Sequence, residues 1–214
     1  GILQASVSSD LKRLLAYSTT ENVGLMVTAL AVALLLRGAG QPGVGDVALT
    51  AALLLVVSHA AFKTVLFLSA GSVLHASGER DLDRMGGLAS AMPTTAAVFG
   101  VAALGAAALP VTGGFVAEWA LLQALVHGDV AGDQLLAVVL PITVGIVALT
   151  AGLAMLTFVK AHGIAFLARP RSPGALAAHE SAPTMRAAMV IGALVVVGLG
   201  LAPGPVAGAL ATAA

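Results

Sequence analysis

Charged residues are scarce in this sequence: they make up 9% of its 214 residues, whereas hydrophobic residues make up 59% and the mean hydropathy is +1.03. A water-soluble domain carries about 25% charged residues, so this composition cannot supply a soluble surface. A lipid bilayer is the solvent that fits. Aromatic residues are also few, at 4%, while Ala and Gly are abundant. Small residues suit closely packed membrane helices, although a general bias toward Ala, Gly and Val explains the same composition equally well.

Cysteine is absent, which excludes disulfides, cysteine-ligated iron–sulfur clusters and thiolate zinc sites from this chain. The five His are scattered, so we expect no metal site and no cofactor. The net charge of zero gives no indication of nucleic-acid binding. The chain begins with Gly1 and lacks a basic segment followed by a cleavage site, so we expect no signal peptide. We interpret residues 1–214 as one transmembrane domain of a longer protein.

Six apolar segments qualify, in whole or in part, as membrane spans, which need roughly 20 apolar residues each. They are Leu14–Leu36, Val47–Leu74, Thr94–Leu109, the short Phe115–Val126, Leu135–Val159 and Ala187–Ala202.

The third and fourth segments are separated by Pro110, Gly113 and Gly114, residue types that interrupt helices. They could be two spans or two halves of one interrupted span, although together they are long for one. The positive-inside rule favours one span, because only Arg37 then lies opposite the other loop cations. Those cations are Lys12, Arg13, Arg80, Arg84, Lys160, Arg169, Arg171 and Arg186. We therefore predict an all-α membrane fold of five spans, the middle one discontinuous, with the basic side cytoplasmic.

Two basic side chains share one face of the second segment. Lys63 lies in the middle of this segment, and His59 lies one helical turn before it. A charge at the centre of a bilayer costs a few kcal/mol or more and usually marks an ion or proton path. An imidazole and an amine at this spacing favour a two-step proton relay. The alternatives are a packing histidine and a lysine in a structural ion pair.

Glu118 follows the break by a few residues and is the single carboxylate of an apolar stretch. Transporters use interrupted helices to build ion sites, which favours a functional role for Glu118 over a Pro kink and a charge that stabilises a helix N-terminus. From the residues alone, Lys12 and Lys160 are interfacial anchors. The polar patch 18–22 should face a partner helix or a cavity.

Four stretches of the chain resemble one family. Residues 10–19, DLKRLLAYST, resemble the DLKRLLAYSS motif of the proton-translocating, antiporter-like membrane subunits; residues 59–63 resemble its HAxFK motif. RDLDRMGG at 80–87 resembles its next loop, and residues 109–119 resemble its broken-helix segment LPxxxGFVSEW. The family includes large subunits of respiratory complex I, Mrp antiporter subunits, and membrane subunits of group 4 hydrogenases and formate hydrogenlyase.

The resemblance implies a fold of two inverted five-helix repeats, of which this chain is the second, C-terminal one. The family's proton path along the membrane midplane implies roles for His59, Lys63 and Glu118. It also makes Lys12 a participant, and the hydrogenase-type motif FVK makes Lys160 a candidate. Two features depart from the pattern: Leu55 stands where many relatives have a second His, and Glu118 stands where some have Lys.

We therefore expect proton translocation within a redox-driven complex, of hydrogenase-4/formate hydrogenlyase or NADH:quinone oxidoreductase type. Its partners are then other membrane subunits, the lipid bilayer and protons, with Na⁺ as the alternative ion. The chain itself is expected to catalyse no redox step and to lie, multi-pass, in the plasma (inner) membrane of a prokaryote. The alternatives are an Mrp-type cation/proton antiporter subunit and a passive membrane anchor for a peripheral enzyme.

Overall fold

The computed structural model describes residues 1–213, and within that range it is helical with no β-strand. Ten helices occur in this range, together with a 3₁₀ turn at Leu82–Arg84. They are α1 (Ile2–Val7), α2 (Leu11–Gly38), α3 (Pro42–Ser77), α4 (Leu88–Ala91), α5 (Pro93–Ala106), α6 (Gly113–His127), α7 (Gln134–Phe166), α8 (Pro173–Ala177), α9 (Pro183–Leu201) and α10 (Gly204–Ala213). The predicted all-α class is confirmed.

Helices α2, α3, α7 and α9 are long and apolar enough to cross a membrane. Their ends follow local sequence signals. The Asp10 carboxylate accepts a hydrogen bond from Arg13 N, which caps α2, and Asp133 caps α7 through Leu135 N and Leu136 N. Pro42 opens α3, where its missing N–H costs nothing. These four helices match four predicted spans, and α7 continues seven residues past the predicted end at Val159.

The two short helices α5 and α6 form one interrupted crossing. Helix α5 follows the loop that ties α3 to the start of α2, where Leu11 N donates to Arg80 O. Helix α6 ends at the opposite side, where Asp129 N and O bond the side chain of Gln41, between α2 and α3. The pair therefore begins at one face of the bundle and ends at the other. The predicted discontinuous middle span is confirmed.

The face that carries most of the cations is tied together by its loops. Arg80 pairs with Asp10, and Arg171 donates to the carbonyls of Leu82, Asp83 and Ile164. Gly86 N and Gly87 N donate to carbonyls at the end of α7. At the other face, the Arg37–Asp46 ion pair and the Gln41–Asp129 bonds connect the helices. We call these the basic face and the Arg37 face.

The buried apolar side chains form two clusters, one above the other along the bundle axis. The first cluster includes Leu15 of α2 and Phe62 of α3, toward the basic face. The second cluster includes Leu25 of α2 and Leu55 of α3 and lies toward the Arg37 face. A layer at mid-depth separates the two clusters, and the candidate site lies in this layer.

Candidate functional site

The layer between the two apolar clusters is polar and buried. Helices α2 and α3 pack along their length, and each contributes polar side chains where its apolar cluster residues stop. The interrupted crossing passes through the same layer at its break. The buried polar residues of the layer are Ser18, Glu21, Asn22, Ser58, Lys63, Thr112 and Glu118. Buried polar groups need partners, so the bonding of these residues defines the site.

Lys63 is 6% exposed and points inward, toward α2. Its Nζ donates hydrogen bonds to Leu15 O, at 2.9 Å, and to Ser18 Oγ. The ammonium also lies 5.9 Å from the centre of the Phe158 ring of α7, within the range of a cation–π interaction. Within the described residues, no carboxylate lies within ion-pair distance of Lys63. The structure therefore holds Lys63 with neutral groups and not in a direct salt bridge.

His59 is half-buried one turn before Lys63, close enough for the two charges to interact. Its ring meets Phe62 edge-on, at 5.3 Å between centroids. Its Nδ1 is buried and has no hydrogen-bond partner among the described residues. An imidazole nitrogen without a fixed bond is free to accept or release a proton.

Glu118 lies in the second turn of α6 and is 9% exposed. No hydrogen bond joins its carboxylate to another described residue. Its charge interacts with that of Glu21 on α2. The neighbouring Trp119 is 53% exposed, so α6 presents Glu118 to the interior and Trp119 outward.

Close packing at two glycines brings α6 to its neighbours. Pro110 lies within the break, while Gly113 and Gly114 begin α6. A Cβ at Gly113 would lie 2.6 Å from Ser58 Oγ of α3 and 2.7 Å from Leu199 Cβ of α9. A Cβ at Gly114 would collide with Gly105 O of α5. Both positions therefore need glycine because backbone and neighbour approach too closely for any side chain.

The backbone of the break is strained and covered. Ala108 and Val111 have φ angles of 49° and 76°, in the left-handed region that β-branched residues rarely adopt. Gly200 of α9 packs directly against Val111 and Thr112. Irregular backbone at membrane depth is tolerated where protein covers it, and such strain concentrates at functional sites.

Glu21 was expected from the sequence as part of the polar patch 18–22, but not as a member of the proton path. It is 7% exposed, and its Oε2 accepts a 2.7 Å hydrogen bond from Asn22 Nδ2. Its charge interacts with those of Lys63 and Glu118. The spacing of Ser18, Glu21 and Asn22, at i, i+3 and i+4, was the available signal, since it places all three on one helix face. The expectation that patch 18–22 faces a partner helix is confirmed for these three residues.

Lys12 and Lys160 lie apart from this cluster. Lys12 is half-buried in the first turn of α2, and no hydrogen bond or ion pair joins it to another described residue. Lys160 is an interior residue of α7 and donates to Ser6 O, at 2.7 Å, and Ser8 O, at 3.0 Å. It thereby connects α7 to the end of α1. Among the described residues, no group of three or more His, Asp or Glu side chains is placed to hold a metal.

The fold and this layer define a polytopic helical membrane protein with a buried, titratable polar layer beside an interrupted helix. Comparison with known families makes the class specific. The family described as NADH:quinone oxidoreductase/Mrp antiporter, transmembrane, matches residues 1–150. The chain belongs to this family.

Curated relatives match nearly the whole chain. It is 52% identical over 203 residues to an uncharacterised protein of Mycobacterium tuberculosis, covering 95% of this chain and 32% of the relative. It is 39% identical to hydrogenase-4 component B of Escherichia coli, covering 89% of this chain and 28% of that protein. It is 34% identical to formate hydrogenlyase subunit 3 of E. coli, covering 80% and 28%. The chain thus spans about a third of the length of these relatives.

Solved structures share the fold. A chain of an archaeal membrane-bound sulfane sulfur reductase superposes with a TM-score of 0.77 at 26% identity, covering 97% of this chain and 30% of that one. A chain of the Mrp complex of Dietzia sp. gives a TM-score of 0.80 at 20% identity, covering 99% and 43%. These structures are multi-subunit membrane complexes, and the predicted antiporter-like fold is confirmed.

Proposed function

We propose that this chain provides part of a proton path in a membrane subunit of a redox-driven complex, of hydrogenase-4/formate hydrogenlyase or NADH:quinone oxidoreductase type. The observation that carries the proposal is the placement of Lys63. This ammonium is buried at mid-depth between two apolar clusters and bonds to neutral oxygens. The names of the two E. coli relatives support the hydrogenase type.

The energetics of Lys63 favour a functional role. Holding an amine at the centre of a bilayer costs about 2.5–3.5 kcal/mol on insertion scales. A lysine kept for structure would recover that cost in a close ion pair, and none occurs among the described residues. A charge retained without a direct counter-ion suits a group that gains and loses its proton during turnover.

The proposed path joins His59, Lys63 and Glu118 in the polar layer. His59 exchanges protons with Lys63 one turn away, and Glu118 receives them beside the break. Lys12 and Lys160, nearer the basic face, are proposed as access groups on that side. Electrons would come from partner subunits, because we expect this chain to hold no redox cofactor.

The proposed location is the plasma membrane of a prokaryote, with the basic face in the cytoplasm. The support is the asymmetry in Lys and Arg: Arg80, Arg84 and Arg171 lie in the loops of the basic face, whereas Arg37 lies at the opposite face.

Replacement of Lys63 in the full-length protein, within its own complex in proteoliposomes, tests the function. We expect Lys63→Ala to assemble and to lower proton pumping, followed with a pH-sensitive dye, by at least about tenfold. Thr64→Val is the matched control, because Thr64 is the next residue, exposed on the outer side of α3, and bonds Ala60 O of its own helix. The control should pump at the wild-type rate.

Three results are informative in this assay. Full pumping by an assembled Lys63→Ala complex would reject the relay and leave the passive anchor. Pumping that requires Na⁺ in the wild type would instead indicate the Mrp-type antiporter. Lost pumping with intact assembly, and no requirement for Na⁺, supports the proposal.

A further inference from the structure

Glu21 occupies a central position in the polar layer that the proposed path does not use. It lies on α2, on the same helix face as Ser18 and Asn22, and is almost fully buried. It lies inside α2, away from either end of the helix. Its single hydrogen bond among the described residues comes from Asn22 Nδ2, and it is in no surface ion pair. Burying a carboxylate in this way is expensive, so the position calls for a functional reason.

Hydrogen bonds to two different atoms of Ser18, its hydroxyl and its backbone carbonyl, link Lys63 with the Asn22–Glu21 pair. Lys63 Nζ donates to Ser18 Oγ, and Asn22 Nδ2 donates both to Ser18 O, at 3.1 Å, and to Glu21 Oε2, at 2.7 Å. Ser18 and Asn22 thus link the amine of α3 to the carboxylate of α2. The linkage holds both charged groups in fixed positions within the layer.

Charge interactions extend the connection to α6. The Glu21 carboxylate interacts electrostatically with the Lys63 ammonium and with the Glu118 carboxylate. The charge of Glu21 thus reaches two members of the proposed path, Lys63 and Glu118. It lies on a different helix from either, so three helices contribute one ionisable group each.

The charges of Glu21, Lys63 and Glu118 favour the binding of one additional proton that can transfer between groups. Lys63 supplies one positive charge, while Glu21 and Glu118 supply two negative charges when all three are ionised. In a medium of low dielectric the surplus negative charge is costly. One additional proton on either carboxylate makes the cluster neutral, and its transfer between the two carboxylates leaves the net charge unchanged.

We propose that Glu21 is a proton-carrying residue of the path and transfers protons between Lys63 and Glu118. In each transfer the proton leaves the Lys63 ammonium, resides on the Glu21 carboxylate, and passes to the Glu118 carboxylate, so charge and protons balance. This inference rests on the proposed function, and it adds a buried residue of α2 between Lys63 of α3 and Glu118 of α6.

Glu21→Gln tests the inference in the full-length protein within its complex. The amide keeps the size of the side chain and its bond with Asn22 but cannot carry the proton. We expect at least about a tenfold loss of pumping with intact assembly, and partial recovery in Glu21→Asp, which restores the carboxyl group. Asp46→Asn is the matched control, because it makes the same acid-to-amide change in an exposed ion pair, and it should pump normally.

Wild-type pumping by Glu21→Gln, alongside an inactive Lys63→Ala, would overturn this inference and leave the proposed function standing. Wild-type pumping by Lys63→Ala would instead overturn the function itself. A second measurement needs no variant: dicyclohexylcarbodiimide modifies protonated carboxyl groups in apolar sites, and peptide mass mapping locates the adduct. We expect adducts on both Glu21 and Glu118; an adduct on Glu118 alone would overturn the role of Glu21.

Discussion

Adding one methyl group at the start of α6 tests whether the spacing of α3 and α6 controls the path. The Cβ of Gly113→Ala would lie 2.6 Å from Ser58 Oγ and 2.7 Å from Leu199 Cβ. Heavy atoms in good contact are about 3.5–4.0 Å apart, so α6 must move by roughly 1 Å. Ser58 can rotate its hydroxyl away, but Leu199 Cβ is fixed to the backbone of α9. Relief therefore requires movement of a helix.

The expected consequences follow from that movement. Overpacking costs about 1–3 kcal/mol of stability. A misplacement of about 1 Å at reacting groups can lower a rate by about a hundredfold. Glu118 lies five residues along the same helix and moves with it. We therefore expect Gly113→Ala to lower pumping by about ten- to a hundredfold in proteoliposomes, with lower thermal stability in detergent.

A matched glycine separates packing from helix propensity. Gly71 lies within α3, and a Cβ there would meet nothing within 4 Å. Gly71→Ala should pump normally and gain about 0.5–1 kcal/mol, because alanine favours the helix. Ser58→Ala combined with Gly113→Ala should pump no better than Gly113→Ala alone, because the clash with Leu199 Cβ remains. The reasoning fails if Gly113→Ala alone pumps and unfolds like the wild type.

Two further predictions concern stability. The Glu180 carboxylate accepts hydrogen bonds from Thr94 N and from Thr95 at the N-terminus of α5. Burial raises the pKa of Glu180. These bonds and one from Ser181 N outweigh burial and hold the pKa below its ordinary value. The stabilisation is therefore present above the unfolded pKa and is lost as the pH falls through the lower folded pKa. We expect Glu180→Gln to cost about 1 kcal/mol at neutral pH and to remove this acid sensitivity in thermal unfolding. Lys160→Met should cost about 1–3 kcal/mol in chemical denaturation, because two carbonyls lose a charged donor; unchanged stability with lost pumping would instead assign Lys160 to the path alone.

The helices and the break could be predicted from hydropathy, charge and residue type. Long apolar segments have few alternatives to helices in a bilayer, because every backbone group must be bonded within the chain. The asymmetry of the loop charges favoured one interrupted span over two. The Gln41–Asp129 contact agrees with one span, because it places the end of α6 at the Arg37 face. Helix ends were less predictable: α7 reaches Phe166 because the apolar pattern weakens at Lys160 without any residue that stops a helix.

The candidate site was predictable along single helices and less so between them. His59 and Lys63 share a face by spacing alone, which one sequence reveals. The electrostatic interaction of Glu21 with Glu118 depends on how α2, α3 and α6 pack, and no sequence periodicity carries that information. For the same reason, the apolar environment of Lys63 was expected, whereas its bond to Ser18 of α2 was not. The assignment of Lys12, His59, Lys63, Glu118 and Lys160 to proton transfer stays a prediction, as does the interpretation of the chain as a second repeat.

More bonds between helices occur at the basic face than at the Arg37 face, and this difference affects how the bundle can move. At the basic face, ion pairs and hydrogen bonds connect the start of α2, the end of α3 and the end of α7. Glu180 bonds the start of α5. At the Arg37 face, an exposed ion pair and one amide side chain connect neighbouring helices. Helices that are held by more bonds at one face separate more easily at the other. Thermal fluctuations should therefore admit water first from the Arg37 side. The interior carboxylates would then communicate with that compartment while the opposite end stays shut.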